Sequence, residues 1–386
     1  MTTTTGIASG PLKGIRIVEF AGIGPAPMAA MTLADMGSTV LRIDRPVPPG
    51  LGIERPLEYN LLLRNRQSIA LDLKDPASKD LVLELLETAD ALIEGFRPGT
   101  MERLGLGPEI CLARNPRLVY GRMTGWGQDG PLARAAGHDL NYIALTGVLN
   151  WIGREKQPPT PPLNLVGDYA GGGLYLALGI LAAILEARNS GQGQIVDAAI
   201  VDGTAALATS VFGMHEAGML GPRGENILDS GAPYYDVYEC ADGCWVSVAP
   251  IEDKFYQDLL DRLEIDATTL GRREAPDYRR RAAAALKARF KSQDRDYWCR
   301  LLEGTDACFA PVLSASEAPE HPHLKARRTF VTVDGITQPA AAPRFSRTGN
   351  GLPVPPAKPT KETGRAVLAE WLGAEKARSR DGLLKG

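Results

Sequence analysis

The chain has 386 residues, with 43 Lys and Arg against 46 Asp and Glu, 44% hydrophobic and 23% charged residues. That length implies about two domains, and the composition is that of a soluble globular protein. A net charge of −3 excludes a global basic field for nucleic acid or an anionic membrane, so any anion site must be local.

The leading "MTTTTGIASG" is polar and small, lacks the charged start and apolar core of a secretory signal, and reads as a loose tail. "GIRIVEFAG" (14–22) and "STVLRID" (38–44) are short strands, separated by "PAPMAAMTLADMG", whose apolar spacing is helical and which closes on Gly37. "LVLELLETADALIEGF" (81–96) repeats the helix-then-strand pattern, and "ARNPRLVYGRMTGWG" supplies another strand end. Strands alternating with helices predict an α/β fold with a mostly parallel sheet. A helix is expected from about Asp168 to Arg188; its apolar run "LYLALGILAAILEA" (174–187) falls short of the roughly 20 residues that span a bilayer and reads as a buried helix. "GQIVDAAIVDGTAALATSVF" follows as a strand-like entry and another apolar helix. Composition then shifts to turn residues in "GPRGENILDSGAPYYDVYE" (221–239), which places a boundary near residue 225, before alternating strands and amphipathic helices of a smaller unit. The Pro-rich "GLPVPPAKPTKETG" (351–364) reads as an extended linker. Five cysteines, an odd count without an export signal, point to reduced thiols and a cytoplasmic location; "CADGC" (240–244) reads as a turn and no metal site is expected.

Three constellations carry chemistry. Gly22 and Gly24 after a strand, with Asp44 closing the next, imitate a dinucleotide fingerprint, but no third glycine follows and Pro25 removes an N–H that a pyrophosphate would use. Arg42, Arg45, Arg64, Arg66, Arg97 and Arg103 include several that follow strand ends, where the crevice of an open α/β sheet lies; they are either solvated faces or a phosphate-binding edge. His138 in "GHDLNYIALTG" and Asp168 in "PLNLVGDYAGGG" form the third. Taken singly, His138 is a turn residue or a base, and Asp168 an N-cap or a reacting carboxylate. Three glycines at 171–173 each cost up to about 1 kcal/mol in a helix, which requires close approach of a ligand or of another backbone. A helix N-terminus at Asp168 to Gly173 would also favour an oxyanion.

"GRMTGWGQDGP", "AGHDLNYIALTGVL", "PPLNLVGDYAGGG", "GQIVDAAIVDG" and "GAPYYDVYECADG" together resemble the alpha-methylacyl-CoA racemases of the class III CoA-transferase family, over about Leu12 to Thr348. The resemblance implies a Rossmann-like large domain plus a smaller α/β domain in an interlocked homodimer. Its division would be 1–195 for the large domain, 196–224 for a helical linker, 225–330 for the small domain and 331–386 for a segment returning to the large one. It implies that His138 and Asp168 are the two bases of a 1,1-proton transfer on a 2-methylacyl-CoA thioester, that Glu252 orients His138, and that apolar surroundings such as Tyr169 and Leu174 keep Asp168 able to hold a proton. Pro250 stands where relatives carry a small residue, which affects the path of the Glu252 loop. The coenzyme A contacts carried over are Arg45, Leu71, Asp72, Leu73, Lys74, Gly95, Phe96, Arg97, Arg103, Gly137, Asp139, Leu140, Asn141 and Tyr142. Coenzyme A is then part of the substrate, no separate cofactor is expected, and neither nucleic acid nor membrane is a partner. Ile23, Met214 and Met219 are candidates for the acyl pocket. The alternatives are a CoA-transferase in which Asp168 is the nucleophile and forms a mixed anhydride and then a thioester, and a catalytically silent CoA-binding protein.

Overall fold

The computed structural model describes residues 9–47, 50–275 and 277–385, so most of the polar leading tail lies outside the described residues. Six strands form one parallel sheet: β1 (Arg16–Phe20), β2 (Thr39–Asp44), β3 (Arg66–Ala70), β4 (Ala91–Glu94), β5 (Val119–Thr124) and β6 (Ile195–Ala199). Their order is β3-β2-β1-β4-β5-β6. The connections carry α1 (Pro25–Asp35), α2 (Pro76–Leu86), α3 (Asp139–Leu145), a π-helical turn (Leu165–Leu174) continuous with α4 (Tyr175–Ser190), and, after β6, α5 (Ile200–Leu207).

The two-residue period of the strands divides the core. Val18, Phe20, Leu41, Ile43, Leu92 and Tyr120 face Leu81, Leu85 and Leu86 of α2 and the C-terminal helix Lys361–Leu372. Ile17, Val40, Ala91, Ile93 and Val119 face the alanines of α1 and the Leu176, Ile180 and Ile184 side of α4. Burial on both faces is why these strands read as nearly continuous apolar runs. Sheet order reverses between β1 and β4, and the loops beyond the carboxyl ends of these strands are where ligands of such folds bind.

Charged residues inside this sheet are paired. Arg66 Nε bonds Glu19 Oε2 at 2.9 Å with both side chains almost wholly buried, and its Nη2 donates to the Pro27 carbonyl at 2.8 Å, which ties β1, β3 and the first turn of α1 together. Arg42 pairs with Asp44 and Arg64 with Asp35. Three of the six arginines considered for a phosphate edge, Arg42, Arg64 and Arg66, are therefore internal struts.

The chain divides into two compact units, residues 1–146, 163–208 and 328–386 forming one and 147–162 with 209–327 the other. The segment 196–224, expected as a helical linker, starts as the sheet strand β6 and then α5, because Val196, Ala198 and Ile200 pack into the core beside α4. Residues 147–162 group with the smaller unit rather than with the sheet. In the C-terminal part, Gln338 and Pro339 accept from Arg64, and Trp371 Nε1 donates to Gln67 at 2.9 Å. The Pro-rich stretch is extended only up to Thr360, where a capping threonine starts the helix at Lys361.

The smaller unit has an antiparallel sheet of β7 (Asp236–Glu239), β8 (Trp245–Val248) and β9 (Phe309–Val312) around a core of Tyr238, Leu259, Phe290 and Trp298. Cys240 and Cys244 bracket its first hairpin turn, the Cys240 N–H donating to the Cys244 carbonyl at 2.8 Å and the Cys244 N–H to Asp242 at 3.1 Å.

The helical run through the π-turn and α4 spans residues 165–190, longer than its apolar core, and by length and hydropathy it reaches what a membrane span requires. Its Leu176, Ile180 and Ile184 side packs on the sheet. Its other side exposes Leu174, Leu178 and Leu185 at 46%, 63% and 63%, one stripe at helical spacing.

Candidate active site

The segments that carry His138 and Asp168 meet on the sheet-bearing unit, where Asp139 takes the Asp168 N–H. His138 is the N-cap of α3, in extended backbone conformation, and its N–H donates to the Asn141 side-chain carbonyl at 3.0 Å, which fixes the start of the helix. Its ring is exposed. The turn reading and the base reading are thus compatible: the backbone N–H caps while the residue stays exposed.

Glycines set this turn. The Tyr142 ring lies edge-on to Trp126 at 4.6 Å and its hydroxyl donates to the Gly137 carbonyl at 2.5 Å. A Cβ on Gly137 would stand 2.8 Å from the Tyr142 ring, and one on Gly125 only 2.0 Å. Two glycines in the motifs around "TGWG" and "AGHD" therefore make room for one tyrosine below His138.

Asp168 is half-buried inside the π-helical turn and is not an N-cap; Asn164 occupies that position and donates from Nδ2 to Asp168 Oδ2 at 3.2 Å. Burial pushes the Asp168 carboxyl up from its ordinary range, the Asn164 hydrogen bond pulls it down, Asp139 raises it and His138 lowers it. The geometric link between the two segments is Asp139, next in sequence to His138, whose Oδ1 accepts the Asp168 N–H at 2.6 Å. Of the two apolar neighbours expected to sustain the proton, Leu174 is exposed and Tyr169 is half-buried.

The glycines that follow are required by the close approach of another backbone, one of the two reasons the sequence left open. A Cβ on Gly171 would meet Thr204 Oγ1 at 2.5 Å and Thr204 N at 2.9 Å, one on Gly172 would meet Pro25 at 2.8 Å, and one on Gly173 would meet Met28 at 2.9 Å. They let the π-turn wedge between α1 and α5. The Asp168 N–H is already bonded, to Asp139 Oδ1 at 2.6 Å. The helix N-terminus beside the carboxylate belongs instead to α1: Gly24, its N-cap at φ 69°, would place a Cβ 3.2 Å from Asp168 Oδ2. Glycine is needed there twice, for the positive φ and for the carboxylate. Gly24→Ala is expected to displace Asp168 and lower kcat roughly tenfold or more, checked by steady-state kinetics alongside a thermal melt.

The carried-over coenzyme A residues follow the carboxyl ends of β2, β3, β4 and β5. Arg45 is exposed after β2, its guanidinium 5.6 Å from the Phe96 ring centre. Asp72, Leu73 and Lys74 form a turn after β3, with the Lys74 N–H on Asp72 at 3.0 Å, whereas the Leu71 side chain belongs to the core. Gly95, Phe96 and Arg97 follow β4, and Phe96 meets Phe20 edge-on. Arg103 is exposed and bonds Thr100 at 2.9 Å. Of the fragment 137–142, Asp139 is buried and turned toward Asp168, Leu140 and Asn141 are exposed, and Tyr142 is buried. Glu252 lies in the smaller unit, exposed, as the N-cap of α6 (Asp253–Arg262), with its carbonyl accepting from Tyr256 at 3.0 Å; Met214 and Met219 are in that unit and Ile23 in the other.

Supporting residues went unnoticed in sequence. Buried Glu94 accepts the Phe96 N–H at 2.8 Å and pairs with Arg122 at 2.9 Å, and Arg122 also bonds Glu102 at 2.8 Å. Burial pushes the Glu94 carboxyl up, against the pull of the Phe96 N–H and Arg122. The available signal was a charged residue in each of two central strands, "ALIE" and "VYGRMT", where a parallel sheet tolerates charge only when paired.

A doubly covered parallel sheet with a His–Asp pair and free arginines beyond its carboxyl ends defines an open α/β protein equipped for acid–base or acyl chemistry on an anionic ligand. Residues 12–362 match the CoA-transferase family III, and the chain belongs to that family. It is 41% identical over 370 residues to the alpha-methylacyl-CoA racemase of Mus musculus, covering 93% of each chain. It is 27% identical to the acetyl-CoA:oxalate CoA-transferase of Acetobacter aceti, covering 97% of this chain and 99% of that one. A CAIB/BAIF family protein from Brucella suis has a similar structure, with a TM-score of 0.79 at 26% identity over 94% of this chain and 100% of that one.

Proposed function

We propose that the protein is a 2-methylacyl-CoA racemase that interconverts the (R) and (S) thioesters through an enolate, with His138 and Asp168 as the two acid/base groups. The observation that carries this reading is the junction of the His138 and Asp168 segments, made by Asp139 Oδ1 on the Asp168 N–H at 2.6 Å, with burial raising the proton affinity of Asp168 beside it. The likeness to the mouse racemase, at 41% identity across almost the whole chain, supports it.

Inversion next to a thioester needs a base on one face and an acid on the other. With one proton shared by the pair, Asp168 ionised and His138 protonated act on one enantiomer. The base removes the α-proton, the electron pair moves onto the thioester oxygen, and the opposite acid protonates the planar carbon. The two groups leave the cycle with their protonation exchanged, ready for the other enantiomer. The positive end of α1, set against Asp168 at Gly24, is suited to the negative charge that develops. Because both directions use the same total number of protons, kcat/KM follows one bell, and its macroscopic pKa values belong to the pair.

Coenzyme A is the substrate's own handle in this reading and no further cofactor takes part; Arg45, Arg97 and Arg103 are its phosphate partners. Arg97→Ala is expected to raise KM for the acyl-CoA about tenfold or more, the scale of one lost charged hydrogen bond, with kcat little changed. The exposed leucine stripe of α4 supports assembly with a second copy, since a helix apolar on both sides is covered on both. In that homodimer Glu252 of a second copy is the residue that orients His138. A cytoplasmic location agrees with the five free cysteines.

The test is incubation of one enantiomer of a 2-methylacyl-CoA in deuterated water. Loss of optical purity with deuterium gained at the α-carbon is expected; transfer of CoA to an added carboxylate without such exchange would mean the transferase reaction, with Asp168 as nucleophile.

A further inference from the structure

Asp139 follows His138 directly, yet its carboxylate reaches the segment that carries Asp168. Oδ1 accepts the Asp168 backbone N–H at 2.6 Å. The residue is 7% exposed, and Oδ2 is buried without a hydrogen-bond partner among the described residues. A Cβ on Gly167 would fall 2.4 Å from Oδ1, so the approach exists only because that position is glycine. An acceptor from a neighbouring helix thus takes up a donor of the π-helical turn, where the ordinary ladder of an α-helix is interrupted.

We infer that Asp139 is a positioning residue that fixes the backbone of Asp168 relative to His138. The inference rests on the racemase reading proposed above. One residue thereby joins the two proposed bases, since Asp139 is the first residue of the helix His138 caps and its side chain grips the other base by its N–H. Charge adds a second effect. From α3, Asp139 raises the proton affinity of Asp168 and His138 lowers it, and Tyr142 is coupled to Asp168 and to Arg97; within the π-turn Asn164 lowers it. Against this turn α1 presents Gly24, Pro25 and Met28, and α5 presents Thr204 and Ile200. Removing the Asp139 charge while keeping an acceptor should therefore make Asp168 easier to ionise.

Asp139→Ala and Asp139→Asn are compared with the wild type in full-length protein, with racemisation and α-deuterium uptake followed across pH and exchange of the Asp168 amide followed by NMR. Asp139→Ala is expected to lower kcat roughly 10- to 100-fold, the cost of a misplaced reacting group, with KM little changed and Asp168 amide protection lost. Asp139→Asn, which retains an acceptor oxygen, is expected to recover part of kcat and to move the acidic limb of the bell to lower pH, a shift that loss of packing alone would not produce. Wild-type kcat, pH profile and amide protection in both variants would overturn the inference. If Asp139→Ala does not fold, the acidic limb of Asp139→Asn decides. If the wild type takes up no deuterium, the racemase reading fails on its own, and amide protection still decides whether Asp139 holds Asp168.

Discussion

Replacing His138 by alanine is expected to slow interconversion of the enantiomers by about 10²- to 10⁴-fold, the usual contribution of one acid/base group, and to leave acyl-CoA binding almost unchanged. The side chain is exposed and outside the core, and the bond that starts α3 uses the backbone N–H, which alanine keeps. The variant should fold as the wild type does. Asp168 remains, so in deuterated water one enantiomer should still exchange its α-proton without inverting, while the other should be inert. Chiral analysis with mass spectrometry separates exchange from inversion and identifies which face Asp168 serves. Undiminished interconversion would remove His138 from the mechanism.

The largest expected effect on stability comes from Glu19→Ala. Glu19 is 0% exposed and is paired with Arg66, so the substitution leaves a buried guanidinium without its counter-charge. Breaking such a pair costs about 3–5 kcal/mol, a large share of the roughly 5–15 kcal/mol that holds a domain folded. Urea unfolding should show a lower midpoint at unchanged slope. Arg66 also holds the Pro27 carbonyl in the first turn of α1, so activity should fall further than the folded fraction alone explains. Replacing Glu19 and Arg66 together by apolar residues should recover much of the stability, because no isolated charge then remains.

The alternation of strands and helices was legible because period-two and helical patterns are local. The sheet order was not, since which strands neighbour each other is a matter of crossover connections. Residues 196–199 read as part of a linker although they pair with β5; "QIVDAA" is strand-like but too short to reveal its partner. His138 and Asp168 were recognisable as a pair only through the surrounding motifs, because a separation of 30 positions along the chain hides their approach. The arginines illustrate the limit most plainly. Arg42, Arg64 and Arg66 resemble Arg45, Arg97 and Arg103 in sequence, and only the position of Asp44, Asp35 and Glu19 in space separates struts from free cations.

The contact between Gly171 and Gly203 bears on how the protein can be altered. A Cβ on Gly203 would stand 1.8 Å from the Gly171 carbonyl oxygen, and one on Gly171 would strike Thr204, so main chain meets main chain with no flexible side chain between them. A bulkier residue at Gly203 meets backbone first, and one at Gly171 meets the Thr204 main chain as well as its hydroxyl, so trimming a side chain would not make room. Directed evolution toward other acyl groups would therefore find this seam immutable and would have to draw its variation from the exposed loops beyond the strands, where a changed side chain alters what is bound without moving the scaffold that aligns the reacting groups.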